Sequence, residues 1–375
     1  MDIHPQELFY NKISDGIIGA YIGMNTTPEQ REHANRQGIR FFEYVRIIPN
    51  RDNVVNCPTC NTEMHSKTEA GRKLGWRYIC PNMHRVAPTK GTLLDRVRIN
   101  EVGSQTILLA MFHFIMDRPV TEFSSLYDFS IDSSVSWFQY FREIAQIIAW
   151  HDFEQLGGAY DIVEVDESRL FKRKYNVGRT TQFRNIWVFG GISRTTKRVF
   201  AMYVRRRNVE TLFTIMQMYI DADSFICSDS WKAYRHCADF FAGYGRVNHT
   251  QNFLYPSREE EPVWFPNDRF HINCLDKRWT GPPPQPNQVP VRYHTQHVER
   301  MWRDLKQTLR SCTSLEHMES YIGWWMYKRN ILAHETTIGG KFRRFCQDIR
   351  RVYPGIGQNP MLANMDNCRC IQCSG

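Results

Sequence analysis

Apolar residues recur along the 375-residue chain at two spacings, and each spacing predicts a different kind of element. Residues 160–166, 184–192 and 198–205 are rich in β-branched and aromatic side chains and are separated by short basic turns. This pattern is typical of a meander of three strands. Residues 209–220 carry apolar side chains three and four positions apart, as a helix does, and residues 224–229 again predict a strand.

The succession continues with a helix over residues 231–241 and a strand that begins at residues 246–248. The predicted order, strand-strand-strand-helix-strand-helix-strand, is that of a ribonuclease-H-like (retroviral-integrase-like) α/β domain. Residues 251–292 are rich in glutamate and proline and predict an insertion rather than a core element. A helix over residues 294–310 and another over 314–333 follow.

The N-terminal part of the chain predicts helices on either side of a cysteine-containing segment. Thr27 and Pro28 are typical of a helix N-terminus, so a helix should run toward Tyr44. Three further helices are predicted, with a short break before the last, over residues 104–116, 120–129 and 134–150. They match a helix-turn-helix layout, whose last helix can lie in a major groove, or they form a plain connector, since few of their residues are basic.

A chain of this length predicts two or three domains, at roughly 100–200 residues per domain. The patterns divide it into five segments. These are a helical region (1–52), a metal module (53–92), a helix-turn-helix-like domain (93–152), a ribonuclease-H-like domain (158–335) and a C-terminal tail (336–375).

The composition indicates a soluble, basic, intracellular protein, and the sequence predicts neither a secretory signal nor a membrane span. The chain has 48 Lys and Arg against 39 Asp and Glu, and its 42% share of hydrophobic residues excludes disorder over most of its length. The net charge of +9 favours a polyanionic partner such as DNA. The basic side chains predicted to contact phosphate are Lys172, Arg173, Lys174, Arg205, Arg206, Arg207, Arg303, Lys306 and Arg310. The alternative for the run Lys172, Arg173 and Lys174 is a solvated loop face.

Four potential zinc ligands lie in residues 53–92. Cys57 and Cys60 form one knuckle, and Cys80 and His84 form a second at the end of a hydrophobic hairpin. Zinc takes four tetrahedral sulfur and nitrogen ligands, and a module this short needs the metal for its stability. His65 is a competing fourth ligand.

The tail contains three further cysteines, Cys368, Cys370 and Cys373, one ligand short of a closed zinc site. His271 and Cys274 would complete a second zinc site if the tail folded back onto them. The alternative is a free tail in a reducing environment.

Two aspartates end strands that are neighbours in the predicted sheet. Asp166 ends the first strand and Asp229 ends the fourth, so their carboxylates should meet and should require Mg²⁺ or Mn²⁺ between them. Glu299 is the best third acid, because it lies off the apolar stripe of its helix and shares a face with three cations. Its alternative role is a surface ion pair with Arg303. The rival acids are Asp161, Glu164, Glu167, Asp304, Glu316 and Glu319.

These segments resemble, in order, the motifs of the Merlin superfamily of cut-and-paste transposases and of related bacterial insertion-sequence transposases. The matching stretches are CPTC with CPNMH, VEVDES, WVFGGI, CSDSWKAY, VNH and HTQHVERMWRDLK, and they span roughly residues 55–330. The resemblance implies that Asp166, Asp229 and Glu299 are the Asp-Asp-Glu triad. It also implies that the cysteine module is a zinc ribbon that helps to bind transposon ends. The insertion at 251–292 looks longer than in compact relatives.

By this resemblance the triad would hold two Mg²⁺ or Mn²⁺ ions, which serve hydrolysis at the transposon ends and then transfer of the 3′-hydroxyl into target DNA. The partners would be double-stranded DNA and at least one further copy of the chain. The location would be the nucleus in a eukaryotic host and the nucleoid or cytoplasm otherwise. Two other functions stay open at this point: a domesticated DNA-binding regulator that does not cut, and a different metal-dependent nuclease of the same fold.

Overall fold

A computed structural model describes residues 5–6, 27–72, 74–99, 102–170, 186–229, 234, 236–247, 254–257, 260–312 and 314–356. The chain forms two compact units, residues 1–148 with 332–375 and residues 149–331. Over the described ranges, no helix combines the length and the apolar character needed to cross a bilayer.

Helices and strands alternate along the described chain. The helices are α1 (Pro28–Tyr44), α2 (Leu93–Arg96), α3 (Ser104–Ile115), α4 (Val120–Leu126), α5 (Ile131–His151), α6 (Val209–Tyr219), α7 (Cys237–Phe240), α8 (Gln296–Thr308), α9 (Leu315–Asn330) and α10 (Ile338–Val352). The strands are β1 (Val55–Asn56), β2 (Glu63–Thr68), β3 (Trp76–Ile79), β4 (Arg85–Val86), β5 (Ile162–Arg169), β6 (Trp187–Ser193), β7 (Val199–Val204), β8 (Phe225–Asp229), β9 (Gly243–Val247), β10 (Val263–Pro266) and β11 (Gln288–Val291).

Helix α1 of the first unit begins where the sequence predicts. The Thr27 hydroxyl accepts from the Gln30 N–H and the Gln30 side chain accepts from the Thr27 N–H, with Pro28 at the helix start. Farther along α1, a Cβ atom at Gly38 would lie 2.5 Å from the Ser104 hydroxyl oxygen. Glycine at this position therefore allows α1 to pack closely on α3.

Helix α10 corrects one prediction, because residues 336–375 were expected to form a tail. Phe342 of α10 stacks on Phe41 of α1 with ring centroids 5.7 Å apart, and Phe345 lies 5.5 Å from Phe114 of α3. These side chains are buried in the core of the first unit. The helix forms because its phenylalanines follow helical spacing and bury one face.

Strands β1–β4 form an antiparallel sheet in chain order within the first unit. Trp76 and Tyr78 of β3 are buried and lie edge to face, with ring centroids 5.0 Å apart. With Met64, Leu74 and Ile79 they form a small apolar core for a sheet of such short strands, so the module needs another source of stability.

The second unit is built on a five-stranded sheet with the order β7-β6-β5-β8-β9. Strands β5, β6 and β7 pair antiparallel as the predicted meander, whereas β8 runs parallel to β5 and β9 runs parallel to β8. Parallel neighbours need crossover connections, and α6 connects β7 to β8. The mixed α/β class is confirmed, and the strand order is consistent with a ribonuclease-H-like fold.

Strand β5 extends beyond its predicted end. The strand was expected to stop at Asp166, but Glu167, Ser168 and Arg169 continue to pair with β6. On the other side of β5, the parallel pairing with β8 reaches only Glu164. Asp166 therefore lies inside the strand, just beyond the point where the pairing with β8 stops.

Two other predicted segments differ from the structure. Of the helix predicted over residues 231–241, the described part shows only the single turn α7. Residues 251–292, predicted as an insertion without core elements, contribute the β10–β11 hairpin, and Phe270 and Cys274 pack against Phe225 of β8. The prolines and glutamates of the segment indicated loops, but its apolar side chains join the core.

Helices α8 and α9 cover the meander. Helix α8 contacts β5 and β6 and buries Val298, Trp302 and Leu305, which belong to the predicted apolar stripe. Helix α9 contacts β7, where the Asn330 side chain donates to the Val199 carbonyl and accepts from its N–H over 2.7 and 2.8 Å. Helix α8 thereby lies against the strand that carries Asp166.

Candidate carboxylate site and candidate zinc centre

Asp166 and Asp229 lie at the same level of two parallel strands. The pairing ends with Glu164 opposite Cys227, and the same register continued by two residues puts Asp166 level with Asp229. The two carboxylates are close enough that, in addition to burial, the charge of Asp229 raises the pKa of Asp166. Asp229 is the last residue of β8, as its sequence position predicts. The sheet thus brings together two acids that are far apart in the sequence.

The surroundings of Asp166 oppose its ionisation. Burial raises the pKa of Asp166 to about 7, and the negative charges of Asp229 and Glu299 raise it as well. The indole N–H of Trp302 donates to Asp166 Oδ2 over 2.9 Å and acts in the opposite direction. The other two predicted acids therefore both act on the carboxyl group of Asp166.

Gly190 makes room for the indole of Trp302. It is paired with Asp166 across β5 and β6. A Cβ atom there would lie 2.9 Å from Trp302 Cη2 and 2.4 Å from the Phe200 carbonyl oxygen. The first glycine of the stretch WVFGGI is therefore required, because only a residue without a side chain lets the Trp302 indole approach the strand this closely.

Glu299 is exposed and lies in the first turn of α8, three residues before Trp302. This spacing puts both side chains on neighbouring positions of one helix face. The Thr295 hydroxyl donates to Glu299 Oε1 over 3.4 Å. The ligand oxygens of Asp166, Asp229 and Glu299 are not all within 4.8 Å of one another.

Glu164, which the sequence offered only as a rival acid, anchors the start of α8. Thr295 makes no side-chain cap, and instead Glu164 Oε2 accepts the N–H groups of His297 and Val298 over 2.9 and 3.2 Å. Its other oxygen accepts from Arg194 Nε over 2.6 Å. Side chains alternate along a strand, so residues 164 and 166 lie on one face of β5. This alternation was the signal by which the sequence could have placed Glu164 beside Asp166.

Glu164 is a charged group in the core. Burial raises the pKa of Glu164, but Arg194 and then His297 lower it, to about 2. Burial, followed by the Arg194 charge, lowers the pKa of His294 to about 3. Glu164, His294 and His297 have ligand atoms within 4.8 Å of one another, yet the Arg194 guanidinium occupies the carboxylate and would repel a cation. We therefore interpret this cluster as a support for α8.

A further acid, Glu167, lies next to the pair. Burial raises the pKa of Glu167 to about 7, a hydrogen bond with Tyr234 and the charge of Arg207 lower it, and the charges of Asp166 and Asp229 raise it. The Arg207 guanidinium also lies 3.6 Å from the centre of the Trp187 ring. Arg207 is thus held near the acids by a cation–π contact.

The predicted phosphate contacts lie in two places. Arg205, Arg206 and Arg207 are exposed and follow β7 directly. Arg303 and Lys306 lie on α8 after Glu299, and Arg310 lies in the short helix Leu309–Ser311 that follows α8. The run Lys172, Arg173 and Lys174 lies outside the described residues.

The donor set at Asp166, Asp229 and Glu299 fits a hard divalent cation. All three side chains are carboxylates, the ligands that Mg²⁺ and Mn²⁺ prefer. A cation between them would also remove the repulsion that contributes to the raised pKa of Asp166. The chemistry of these residues is therefore suited to magnesium or manganese.

The four predicted zinc ligands come together in the β1–β4 module. His84 Nδ1 lies 3.5 Å from Cys57 Sγ, 3.3 Å from Cys60 Sγ and 3.5 Å from Cys80 Sγ, and the sulfurs of Cys60 and Cys80 are 3.7 Å apart. A tetrahedral zinc ion with ordinary bond lengths separates two sulfurs by about 3.8 Å and a sulfur from a nitrogen by about 3.5 Å. The observed sulfur–nitrogen and sulfur–sulfur distances match those of this tetrahedron.

Cys60 is also poised to be a thiolate. The Thr62 hydroxyl lies 3.0 Å from Cys60 Sγ, and this hydrogen bond is the largest of the contacts that lower the pKa of Cys60 to about 5. His65, the competing ligand, is exposed on β2 and does not belong to the cluster. A Cys₃His zinc site therefore fits this module.

The structure argues against Cys274 as a zinc ligand. Its side chain is buried beside Tyr160 and Asp161, and burial raises the pKa of its thiol. His271 Nδ1 accepts from the Asn273 N–H. The tail cysteines Cys368, Cys370 and Cys373 lie outside the described residues.

Comparison with known proteins gives matches among solved structures. No protein-family description matches the chain, and no curated protein matches it. Among solved structures, the chain is similar to the catalytic core domain of BIV integrase, with 12% sequence identity and a TM-score of 0.26. The match covers 46% of this chain and 85% of that domain.

Proposed function

We propose that this chain is a cut-and-paste DNA transposase whose catalytic residues are Asp166, Asp229 and Glu299. The observation that supports the proposal is the raised pKa of Asp166, about 7, which burial causes first and to which the nearby charges of Asp229 and Glu299 add. A carboxyl group whose pKa is strongly raised, with further acids from separate elements near it, is typical of a catalytic site. The resemblance of the surrounding motifs to Merlin transposases supplies the reaction.

The residues of the chain position the three carboxylates. Trp302 holds Asp166 by its indole N–H, and Glu164 fixes the turn of α8 from which Glu299 projects. Divalent cations held by the three acids would lower the pKa of the attacking hydroxyl and neutralise the leaving oxygen during displacement at phosphorus. No protein nucleophile is needed for such a displacement.

The proposal gives the basic residues and the cysteine module separate roles. Arg205, Arg206 and Arg207 would hold DNA phosphates beside the acids, and Arg303, Lys306 and Arg310 would do so along α8. Zinc at Cys57, Cys60, Cys80 and His84 would stabilise the β1–β4 module. That module and helices α3–α5 would recognise the transposon end, with two copies of the chain in a synaptic complex and, in a eukaryotic host, in the nucleus.

The test uses the DNA that flanks the coding locus. We expect purified protein with Mg²⁺ to cut a labelled terminal repeat from that DNA and to join its 3′-hydroxyl to a target plasmid. Asp166→Asn, Asp229→Asn and Glu299→Gln should each abolish both steps and leave DNA binding intact. Asp304→Asn on the same helix is the matched control and should remain active.

The outcomes separate the three functions. Binding without any cleavage would favour a non-cutting regulator, and cleavage without joining would favour another nuclease of the same fold. Retained cleavage by any one of the three variants would remove that residue from the proposed site.

A further inference from the structure

Helix α10 carries arginines on two different faces. Arg344 and Arg351 both bind the buried carboxylate of Asp348, through Nε–Oδ2 and Nη1–Oδ1 distances of 2.8 and 3.1 Å. Arg343 and Arg350 are exposed and lie seven positions apart, which places them on one face, two turns from each other. The catalytic proposal assigns no role to either pair.

The exposed pair lines a cavity in the first unit. The cavity has a volume of about 430 Å³, and its lining includes Arg343, Gln347 and Arg350 of α10 together with Tyr44 and Arg46 from the end of α1. Three guanidinium groups thus border one space, and none of the described residues that line it is acidic. Such a concentration of one charge sign attracts an anion.

The walls of this cavity are held in place by the core. Phe41 of α1 and Phe342 of α10 are buried and stack with ring planes 17° apart, which fixes the two helices against each other. Arg46 has φ 58°, a left-handed conformation that a non-glycine residue adopts only at an energetic cost. Residues in such conformations cluster at ligand sites, because the surrounding structure must impose them. The core of the first unit therefore fixes the two helices that border the cavity relative to each other.

We propose that this cavity, lined by Arg46, Arg343 and Arg350, binds a phosphate group of a DNA backbone. Guanidinium groups offer forked N–H donors that match phosphate oxygens, and Gln347 and Tyr44 offer further polar atoms at the rim. The inference rests on the proposed function, since it takes DNA as the partner. It adds a contact from helix α10 that is independent of base sequence and uses none of the residues of the carboxylate site.

The test measures binding of a fluorescent DNA duplex of random sequence at several salt concentrations. We expect Arg343→Gln with Arg350→Gln to weaken binding about tenfold and to reduce the salt dependence by about one to two phosphate contacts. Arg343→Lys with Arg350→Lys should give an intermediate affinity, because the charge stays and the forked geometry is lost. The substituted side chains are exposed, so circular dichroism should show an unchanged fold.

The matched control removes the same charge from exposed positions of α1 that do not line the cavity. Arg31→Gln with Arg36→Gln should keep nearly wild-type affinity for the duplex. An equal loss in the control and cavity variants would show a general effect of net charge and would overturn the proposal. Unchanged affinity in the glutamine variant would overturn it as well.

Inorganic phosphate distinguishes a DNA contact from a site for the free ion. If phosphate raised the thermal midpoint of the wild type but not of the glutamine variant, and duplex affinity were equal, the cavity would hold free phosphate and the DNA assignment would be wrong. Cleavage of terminal DNA is measured on the same proteins. If the wild type cuts DNA and the glutamine variant binds the duplex as tightly as the wild type does, this inference alone is rejected. If the wild type neither binds nor cuts DNA, the proposed function is rejected too.

Discussion

At the scale of single residues, Asp166 is held in a place that disfavours its charge. In the folded protein the pKa of Asp166 is about 7, whereas the ordinary value for an aspartate is 3.8. The folded state therefore binds this proton more tightly than the unfolded chain does, and stability falls as the pH rises from 3.8 to about 7. This is the reverse of the usual carboxylate, so the ionised form of Asp166 is held at a cost in stability.

We predict that Asp166→Asn stabilises the protein while it abolishes cleavage. Without divalent cations at pH 8, the gain in the free energy of unfolding should be about 2 kcal/mol or more, since each pKa unit corresponds to about 1.4 kcal/mol. The gain should shrink as the pH falls from 7 toward 4. Urea unfolding at several pH values measures it. Asp239→Asn, at a side chain that is 78% exposed, should change stability little, and an equal effect at both sites would contradict the argument.

The indole of Trp302 lowers the pKa of Asp166, so its removal should shift the pH dependence of cleavage. Trp302→Phe keeps a buried ring but removes the donor, and the pKa of Asp166 should rise further. We predict that the rising limb of the pH–rate profile moves to higher pH by roughly half a unit to one unit, because a hydrogen bond to the charged form favours that form.

Trp325 provides a matched control for this change. Its indole donates to Asp304 Oδ2 over the same 2.9 Å, away from the predicted triad. Trp325→Phe should lower stability and leave the pH midpoint of cleavage in place. A midpoint that moved equally in both variants, or in neither, would show that the bond to Asp166 does not set the pH dependence.

At the scale of elements, the position of α8 depends on a carboxylate from a different element. Glu164 of β5 replaces a side-chain cap at the α8 N-terminus, where a negative charge is favourable. It is completely buried with Arg194, which is 2% exposed. We predict that Glu164→Gln costs about 3–5 kcal/mol in the free energy of unfolding, because it leaves a buried guanidinium without its counter-charge.

Substitution of both Glu164 and Arg194 distinguishes the cost of an unpaired buried charge from the loss of the α8 cap. Glu164→Gln with Arg194→Met should recover much of the lost stability and still show reduced cleavage, since the α8 N-terminus has lost its charged acceptor. The exposed pair Arg36–Glu32 is the comparison, and Glu32→Gln should cost less than about 1 kcal/mol. If the double variant cleaved DNA at the wild-type rate, Glu164 would have no positioning role.

The elements that the sequence predicted best are those with a local signal. Residues close together in the sequence predicted the helix cap at Thr27, the three-strand meander and the apolar stripe of α8. The structure contains all three. The network of Glu164 and Arg194 could not be predicted, because it joins residues of separate elements that pair only after the sheet forms. The end of β5 was predicted wrongly for the same reason, since pairing with β6 rather than local propensity extends it to Arg169.

At the scale of the whole molecule, two metal-binding sites would lie in two different compact units. The Cys₃His cluster is in the first unit and the three carboxylates are in the second. The β1–β4 module has only a small core between short strands, so zinc would supply much of its stability, whereas the second unit has a five-stranded core of its own. Loss of zinc and addition of magnesium should therefore change the local stability of different segments.

Hydrogen exchange measured by mass spectrometry tests this separation. We predict that a zinc chelator accelerates exchange over residues 55–86 and leaves residues 187–204 unchanged, because local opening follows the loss of the interactions that stabilise each segment. Mg²⁺ at pH 8 should slow exchange over residues 162–169 and 225–229 in the wild type but not in Asp229→Asn, since a ligand protects only the state that binds it. Cys60→Ala should reproduce the effect of the chelator, and Cys237→Ala, at a buried thiol of the second unit, should not. Protection by Mg²⁺ that persisted in Asp229→Asn would mean that the cation binds elsewhere, and the carboxylates would then have to be explained without a metal.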